Sequence, residues 1–293
     1  MPRPSRATKA DRGSGLPEEP SGEAVEPSPE AVVAGTAAVL PRSTRDRQRA
    51  AVVIPAHDEA RRIAATVRAV RAIPGVDLVL VVDDGSVDDT QHVAREAGAV
   101  VVRLSHNRGR AAAMETGAAV VAMRDVPDRP ARSLLFLPAD LAESAVAVAP
   151  LVPPVLAGEA DMTVGQLASP IAPGGHGLIV AQARRAIAQL TGWTPADPMS
   201  PLRCLTREAF EAATPLAHGV GIWPAMTIDL LRAGFRVTEV PCELRHHPEG
   251  GSLRSQVTRL VGARDVELAI GARRARAAAD SVRDKVMRPG RGR

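Results

Sequence analysis

Residues 50–59 read AAVVIPAHDE and residues 76–90 read VDLVLVVDDGSVDDT. Each opens with an apolar, β-branched run of strand length and closes on acidic and turn-forming residues, the pattern of a sheet strand that ends in polar groups. Outward from this pair, AVVVRL at 99–104 and SLLFLPAD at 133–140 repeat it, and FRVTEVP at 235–241 reads as a later strand. After the first strand, Ile63, Val67 and Val70 recur at helical spacing with Arg61, Arg62, Arg68 and Arg71 on other faces, so a helix returns the chain across the sheet. Ser86 is placed to cap the next helix. RGRAAAMETGAAVVAM at 108–123 predicts another, and a long helix is expected from about Ser252. Strands alternating with helices predict an α/β fold, a mostly parallel nucleotide-binding sheet flanked by helices on both faces.

The 293 residues, 45% of them hydrophobic, suffice for an enzyme-sized core. Residues 1–48, with stretches such as LPEEPSGEAVEPSPE, carry too few large apolar side chains to offset ordering entropy and are expected to be disordered. The globular domain is placed at 49–266 and a basic C-terminal helix and tail at 267–293. From Gly271 onward eight basic residues face only Asp280 and Asp284, which makes this tail a candidate contact for an anionic membrane.

The sequence pI of about 9.9 does not argue for nucleic acid, because aromatic residues make up only 2% of the chain and no basic recognition element accompanies it. Cys204 and Cys242 share no metal-ligand or disulfide spacing. Without an apolar signal region or a run of membrane-spanning length, the expected location is cytoplasmic, with membrane association left open at the tail.

In open α/β sheets ligands bind beyond the carboxyl ends of the strands. The polar residues there are Pro55, His57, Asp58 and Glu59 after the first strand, Asp83, Asp84, Gly85, Ser86 and Asp88 after the second, and Asp140 after the fourth. Carboxylates can accept hydrogen bonds from a base imide and from ribose hydroxyls, while Arg108 and Arg110 can neutralise phosphate oxygens. VDDGS by itself is equally a turn with a helix cap. The absence of GxGxxG after the first strand and of GxxxxGK[ST] anywhere argues against a nicotinamide-dependent oxidoreductase and a P-loop enzyme.

Taken in order, VVIPAHDEARRI, VLVVDDGSVDDT, LSHNRGRAAAMETGA and LFLPADL resemble the nucleotide-binding half of family 2 glycosyltransferases, whose fold is of the GT-A type. The resemblance implies that Pro55, Asp58 and Glu59 line the nucleotide pocket. It also implies that Asp83, Asp84 and Ser86 approach base and ribose, and that Arg110 stands where the family often has Lys. The later segments DPMSPLRCLTREAF and GFRVTEVPCELRHHPEGGS are similar to members acting on polyprenyl phosphate or phosphoglycerate. By that similarity Arg203 faces a phosphate and is assigned to catalysis with Asp140, while His246 joins Asp140 as a metal ligand. The implied partners are a nucleotide-sugar donor and an acceptor of unknown identity. The implied cofactor is Mg²⁺ or Mn²⁺.

The chain departs from the family pattern in three places. Pro138 replaces the first acid of the DxD motif, which weakens the expected metal site. Asp58 stands for the usual Asn, keeping acceptor oxygens and losing the amide donors. Trp223 and Pro224 occupy the region where an acid is expected, and neither can act as a general base. The expected function is hexosyl transfer from a nucleotide sugar; the competing reading is a degenerate, non-catalytic nucleotide-sugar-binding or regulatory protein.

Overall fold

The first strand, β1 (Ala50–Ala56), puts Ala50, Val52, Ile54 and Ala56 into one buried cluster and Ala51 and Val53 into another. Successive side chains of a strand point to opposite faces, so both faces of this strand must be covered. A computed structural model describes residues 48–167, 176–244 and 253–287 of the chain. Residues 1–48, expected to be disordered, lie outside the described residues except for the last, as does His246.

The elements follow in the order β1, α1 (Ile63–Arg71), β2 (Val76–Asp83), α2 (Thr90–Glu96), β3 (Val100–Arg103), α3 (Arg110–Met123) and β4 (Ser133–Phe136). A 3₁₀ segment (Ala142–Leu151) leads into α4 (Val152–Leu156), β5 (Met162–Leu167), α5 (His176–Thr191), β6 (Arg203–Leu205) and α6 (Arg207–Ala213). A short 3₁₀ turn (Gly219–Gly221) then precedes α7 (Ile222–Arg232), β7 (Val237–Cys242) and α8 (Leu253–Met287). One seven-stranded sheet has the order β3-β2-β1-β4-β6-β5-β7. β1 pairs in parallel with β2 and β4, β2 with β3, and β5 with β7, whereas β6 runs antiparallel to β4 and β5.

Ile63, Val67 and Val70 of α1 and Val148 and Leu151 of the 3₁₀ segment cover one face. Met114 and Val121 of α3, Phe210 of α6 and Ile222, Met226 and Leu230 of α7 cover the other. On the outer side of α7, Ala183 and Ala186 of α5 meet Val266 and Ile270 of α8. α8 therefore passes through Val266 without a break, and its continuation is joined to α7 by Arg273 with Asp229 and by Arg232 with Asp280 at 2.7 Å.

Two features differ from expectation. β5 and β6 were not foreseen, because DMTVGQL and RCL are short and lack the long β-branched run that marked the other strands. Ser86 does not cap α2: that helix begins at Thr90, whose backbone N–H donates to Asp88 Oδ1 at 2.9 Å. The Ser86 hydroxyl is used elsewhere.

At the amino edge of the parallel strands, Arg132 donates from Nε to Asp77 at 2.7 Å and from Nη1 to Asp125 at 2.6 Å. Arg207 Nη2 and Arg49 Nη2 also approach Asp125, at 3.3 and 3.8 Å. This largely buried network joins the starts of β1, β2, β4 and α6 on the side away from the polar strand ends. Removing the shared acid strands buried guanidinium groups. Asp125→Ala is expected to lower the unfolding free energy by about 3 kcal/mol in urea titration, whereas the exposed Asp128→Ala should change it by no more than about 0.5 kcal/mol.

Candidate functional site

Parallel pairing of β1, β2 and β4 sends their carboxyl ends to one edge. Between β1 and β4 the chain order reverses, which is where open α/β sheets form a crevice. A cavity of about 510 Å³ opens there, lined by Pro55 at the end of β1, His57 and Glu59 after it, Asp84 after β2, Pro138 and Asp140 after β4, and Arg110 and Met114 of α3. Met199, Pro201 and Trp223 form the wall opposite these strand ends.

Of the residues singled out by sequence, Pro55, Glu59, Asp84, Arg110 and Asp140 line this cavity. Asp58, Asp83 and Ser86 instead build its frame. Asp58 adopts a φ of 57°, its N–H donates to Ser86 Oγ at 3.0 Å, and its Oδ1 accepts from Val87 N at 2.9 Å. Ser86 thus ties the β1 loop to the β2 loop. Asp83 is 0% exposed; its Oδ1 accepts from Ser86 N at 2.9 Å, while Oδ2 has no hydrogen-bond partner among the described residues and lies 3.6 Å from Arg103 Nε.

Asp84 takes a middle position. Its two carboxylate oxygens accept from the backbone N–H groups of Arg108 at 2.7 Å and Gly109 at 2.8 Å, so it shapes the loop that enters α3. Gly85 makes that loop's approach possible: it has a φ of 73°, and a Cβ there would lie 2.6 Å from the His106 carbonyl carbon. His57 Nδ1 sits 2.8 Å from the Asp84 carbonyl oxygen, and since a carbonyl only accepts, Nδ1 carries the proton in this contact.

Asp140 lies in a turn held from below. Thr66 of α1, fully buried, donates to the Ala139 carbonyl at 2.7 Å and accepts from Ala142 N at 2.8 Å. Nothing in the helical pattern around Thr66 marked it, because its partners lie more than seventy residues away. Asp140 makes no hydrogen bond among the described residues, and its field raises the pKa of Arg110 against the larger lowering that desolvation causes. Arg110 Cζ also stands 5.8 Å from the centre of the Trp223 ring.

Arg203 occupies a place the sequence did not foresee. It is 0% exposed on β6, does not line the cavity, and stacks behind Trp223 with Cζ 5.5 Å from the ring centre. Nη1 donates to Thr227 Oγ1 at 2.8 Å, and that hydroxyl donates to the Trp223 carbonyl at 3.0 Å. Burial pulls the Arg203 pKa down to about 9, opposed by Asp197 and Glu239, so the side chain remains a cation at neutral pH. In this geometry it supports Trp223 and does not face a phosphate, because the indole and the strand enclose it.

Among the described residues no three His, Cys, Asp or Glu side chains cluster as a metal site. A hard divalent cation bound together with substrate phosphates needs only one or two carboxylates from the protein. Asp140 fits that minimal mode; Pro138 supplies no ligand.

This sheet order and strand-end cavity define a GT-A-type nucleotide-sugar transferase fold. The family model for glycosyl transferase family 2 matches residues 51–211, and the chain belongs to that family. It is similar to glycosyltransferase AglJ of Haloferax volcanii, 29% identical over 208 residues that cover 68% of this chain and 64% of that protein. The match therefore spans less than two thirds of that relative's length. Glucosyl-3-phosphoglycerate synthase from Mycobacterium tuberculosis, solved with Mn²⁺, UDP and phosphoglyceric acid, shares the fold at a TM-score of 0.62 and 24% identity, over 77% of this chain and 78% of that one. Its complex with Mn²⁺, UDP-glucose and phosphoglyceric acid aligns at a TM-score of 0.60 and 23% identity, over 76% of this chain and 80% of that chain.

The Thr66 bridge is open to test. Thr66→Val removes both hydrogen bonds with little change of shape and is expected to cost about 1–3 kcal/mol of stability and to weaken any ligand affinity that depends on Asp140. Thr66→Ser should restore both, as read by urea titration and by nucleotide binding.

Proposed function

We propose that this chain transfers a hexose from a nucleoside diphosphate sugar to an acceptor bearing a phosphate. The observation that carries the reading is the cavity at the β1/β4 crevice, where Glu59, Asp84, Arg110 and Asp140 converge beside an apolar wall. In the reaction an ionised phosphate oxygen of the acceptor, which has no proton to lose, forms a bond to the anomeric carbon as the bond from that carbon to the diphosphate breaks, and the nucleoside diphosphate leaves with the electron pair.

Arg110 provides the chain's own positive charge for the departing diphosphate. The desolvated cavity makes that interaction stronger than it would be in water. Asp140 would hold Mg²⁺ or Mn²⁺, with His246, outside the described residues, as the second proposed ligand. Such an ion, when bound, supplies Lewis-acid neutralisation of the diphosphate. Asp84 keeps the loop before α3 in place, so that Arg110 projects from the first turn of the helix. Trp223 gives the site a rigid apolar side and, with Pro224, leaves no carboxylate in that turn of α7. An acceptor that is already ionised needs no strong base, which is why a phosphate-bearing acceptor suits this site.

The competing non-catalytic reading draws only on Pro138 and Trp223. The two are separated by measurement. A panel of UDP-, GDP- and ADP-glucose, with and without Mn²⁺, is expected to raise the melting temperature with at least one nucleotide, since a ligand at a hundred times its Kd stabilises by about 2.7 kcal/mol. Asp140→Ala should remove the Mn²⁺-dependent part of the shift, and Pro138→Asp should enlarge it. A flat response to every nucleotide would refute the proposal. Binding without sugar release or transfer to any phosphorylated acceptor would favour the non-catalytic reading.

A further inference from the structure

Helix α8 has two apolar faces, and among the described residues only one of them packs against the fold. Val266, Ala269, Ile270 and Arg273 are buried inward. On the other side Leu268, Ala272, Ala275 and Ala279 follow one another at intervals of three and four, and all are exposed, Leu268 to 63%. Such spacing keeps side chains on one side of a helix.

Exposed cations border this stripe. Arg264 precedes Leu268 by one turn, and Arg274 and Arg276 flank Ala275. Between α8 and α5 runs a groove of about 370 Å³ lined by Gln182, Arg264, Leu268 and Arg274, with Glu267 the one acid among them. Leu178, one turn before Gln182 on α5, is 81% exposed. Leu268, in water beside Arg264 and Arg274, and the exposed Leu178 of the neighbouring helix are not explained by the described core, the cavity or the ion pairs with α7.

We propose that the outer face of α8, with the start of α5, is a peripheral docking surface for an anionic bilayer. An apolar stripe flanked by long basic side chains lets the stripe enter the headgroup region while the arginines meet lipid phosphates. Each basic side chain near an anionic leaflet strengthens partition roughly fivefold. No helix among the described residues is long and apolar enough to cross a membrane, so the contact is with the surface. A second copy of the chain fits less well, because pairing two such faces would oppose Arg264, Arg274 and Arg276 to the same residues. A nucleic acid would satisfy the arginines but leave Leu178 and Leu268 in water.

The test is co-sedimentation of the full chain with phosphatidylcholine vesicles, either pure or containing about one third phosphatidylglycerol. Binding is expected only to the anionic vesicles and should weaken as salt rises. Leu268→Asp and Leu178→Asp should each reduce partition roughly tenfold with an unchanged melting temperature. Arg264→Glu combined with Arg274→Glu should abolish it, independently of the leucines. Failure to bind the anionic vesicles would overturn the proposal, as would binding indifferent to all these variants. Tighter binding to a duplex or single-stranded oligonucleotide that is unaffected by Leu268→Asp would overturn it in favour of a polyanion site.

Discussion

Parallel hydrogen bonding of β1 to β2 on one side and β4 on the other is the constraint from which the rest of the molecule follows. Parallel neighbours must be joined by crossovers, which cover both faces of the sheet with helices and leave every strand end on the same edge. The ends of buried strands carry backbone and side-chain polar groups that need partners or solvent. Here they find one another: Asp58 with Ser86 and Val87, Asp83 with Ser86, and Asp84 with the amides of Arg108 and Gly109. The loops of three strands become one rigid rim.

That arrangement divides the acidic residues by task. Asp84 gives one lone pair on each carboxylate oxygen to a backbone amide, and Asp58 and Asp83 each give one oxygen to the β2 loop outside the cavity lining, so all three carboxylates serve at least partly as frame. Asp140 is different, because its turn is held by the Thr66 hydroxyl through backbone atoms and its own carboxylate makes no hydrogen bond among the described residues. A group kept in place without using its functional atoms is suited to bind something else.

Arginine is used in three physical ways. Arg49, Arg132 and Arg207 share Asp77 and Asp125 at the amino edge and join strand starts. Arg203, without an acid in hydrogen-bond contact among the described residues, rests on the face of Trp223 and on Thr227, an arrangement open to a planar, weakly hydrated cation. Arg110 meets the same indole from within the cavity and feels the field of Asp140. A basic composition therefore coexists with a cavity whose lining is net acidic, Glu59, Asp84 and Asp140 standing against Arg110.

The strands β1 to β4, the helices between them and the acidic strand ends were all legible in the chain, because buried strand runs, helical spacing and Asp-Gly turns are local signals carried by neighbouring residues. Residues 55, 57–59, 83–86, 88 and 140 could be placed at strand ends from order, whereas the roles of these residues and of Arg110 came from the family resemblance. What only the tertiary structure decided are matters of distance between remote segments. Short strands such as β5 and β6 gain their identity from partners across the sheet. Ser86 became a link between loops in place of a helix cap, and Thr66 became the support of Asp140. Arg203 turned from a presumed phosphate contact into the backing of Trp223, since burial behind an aromatic ring is a property of packing and leaves no mark on the residues beside it in sequence.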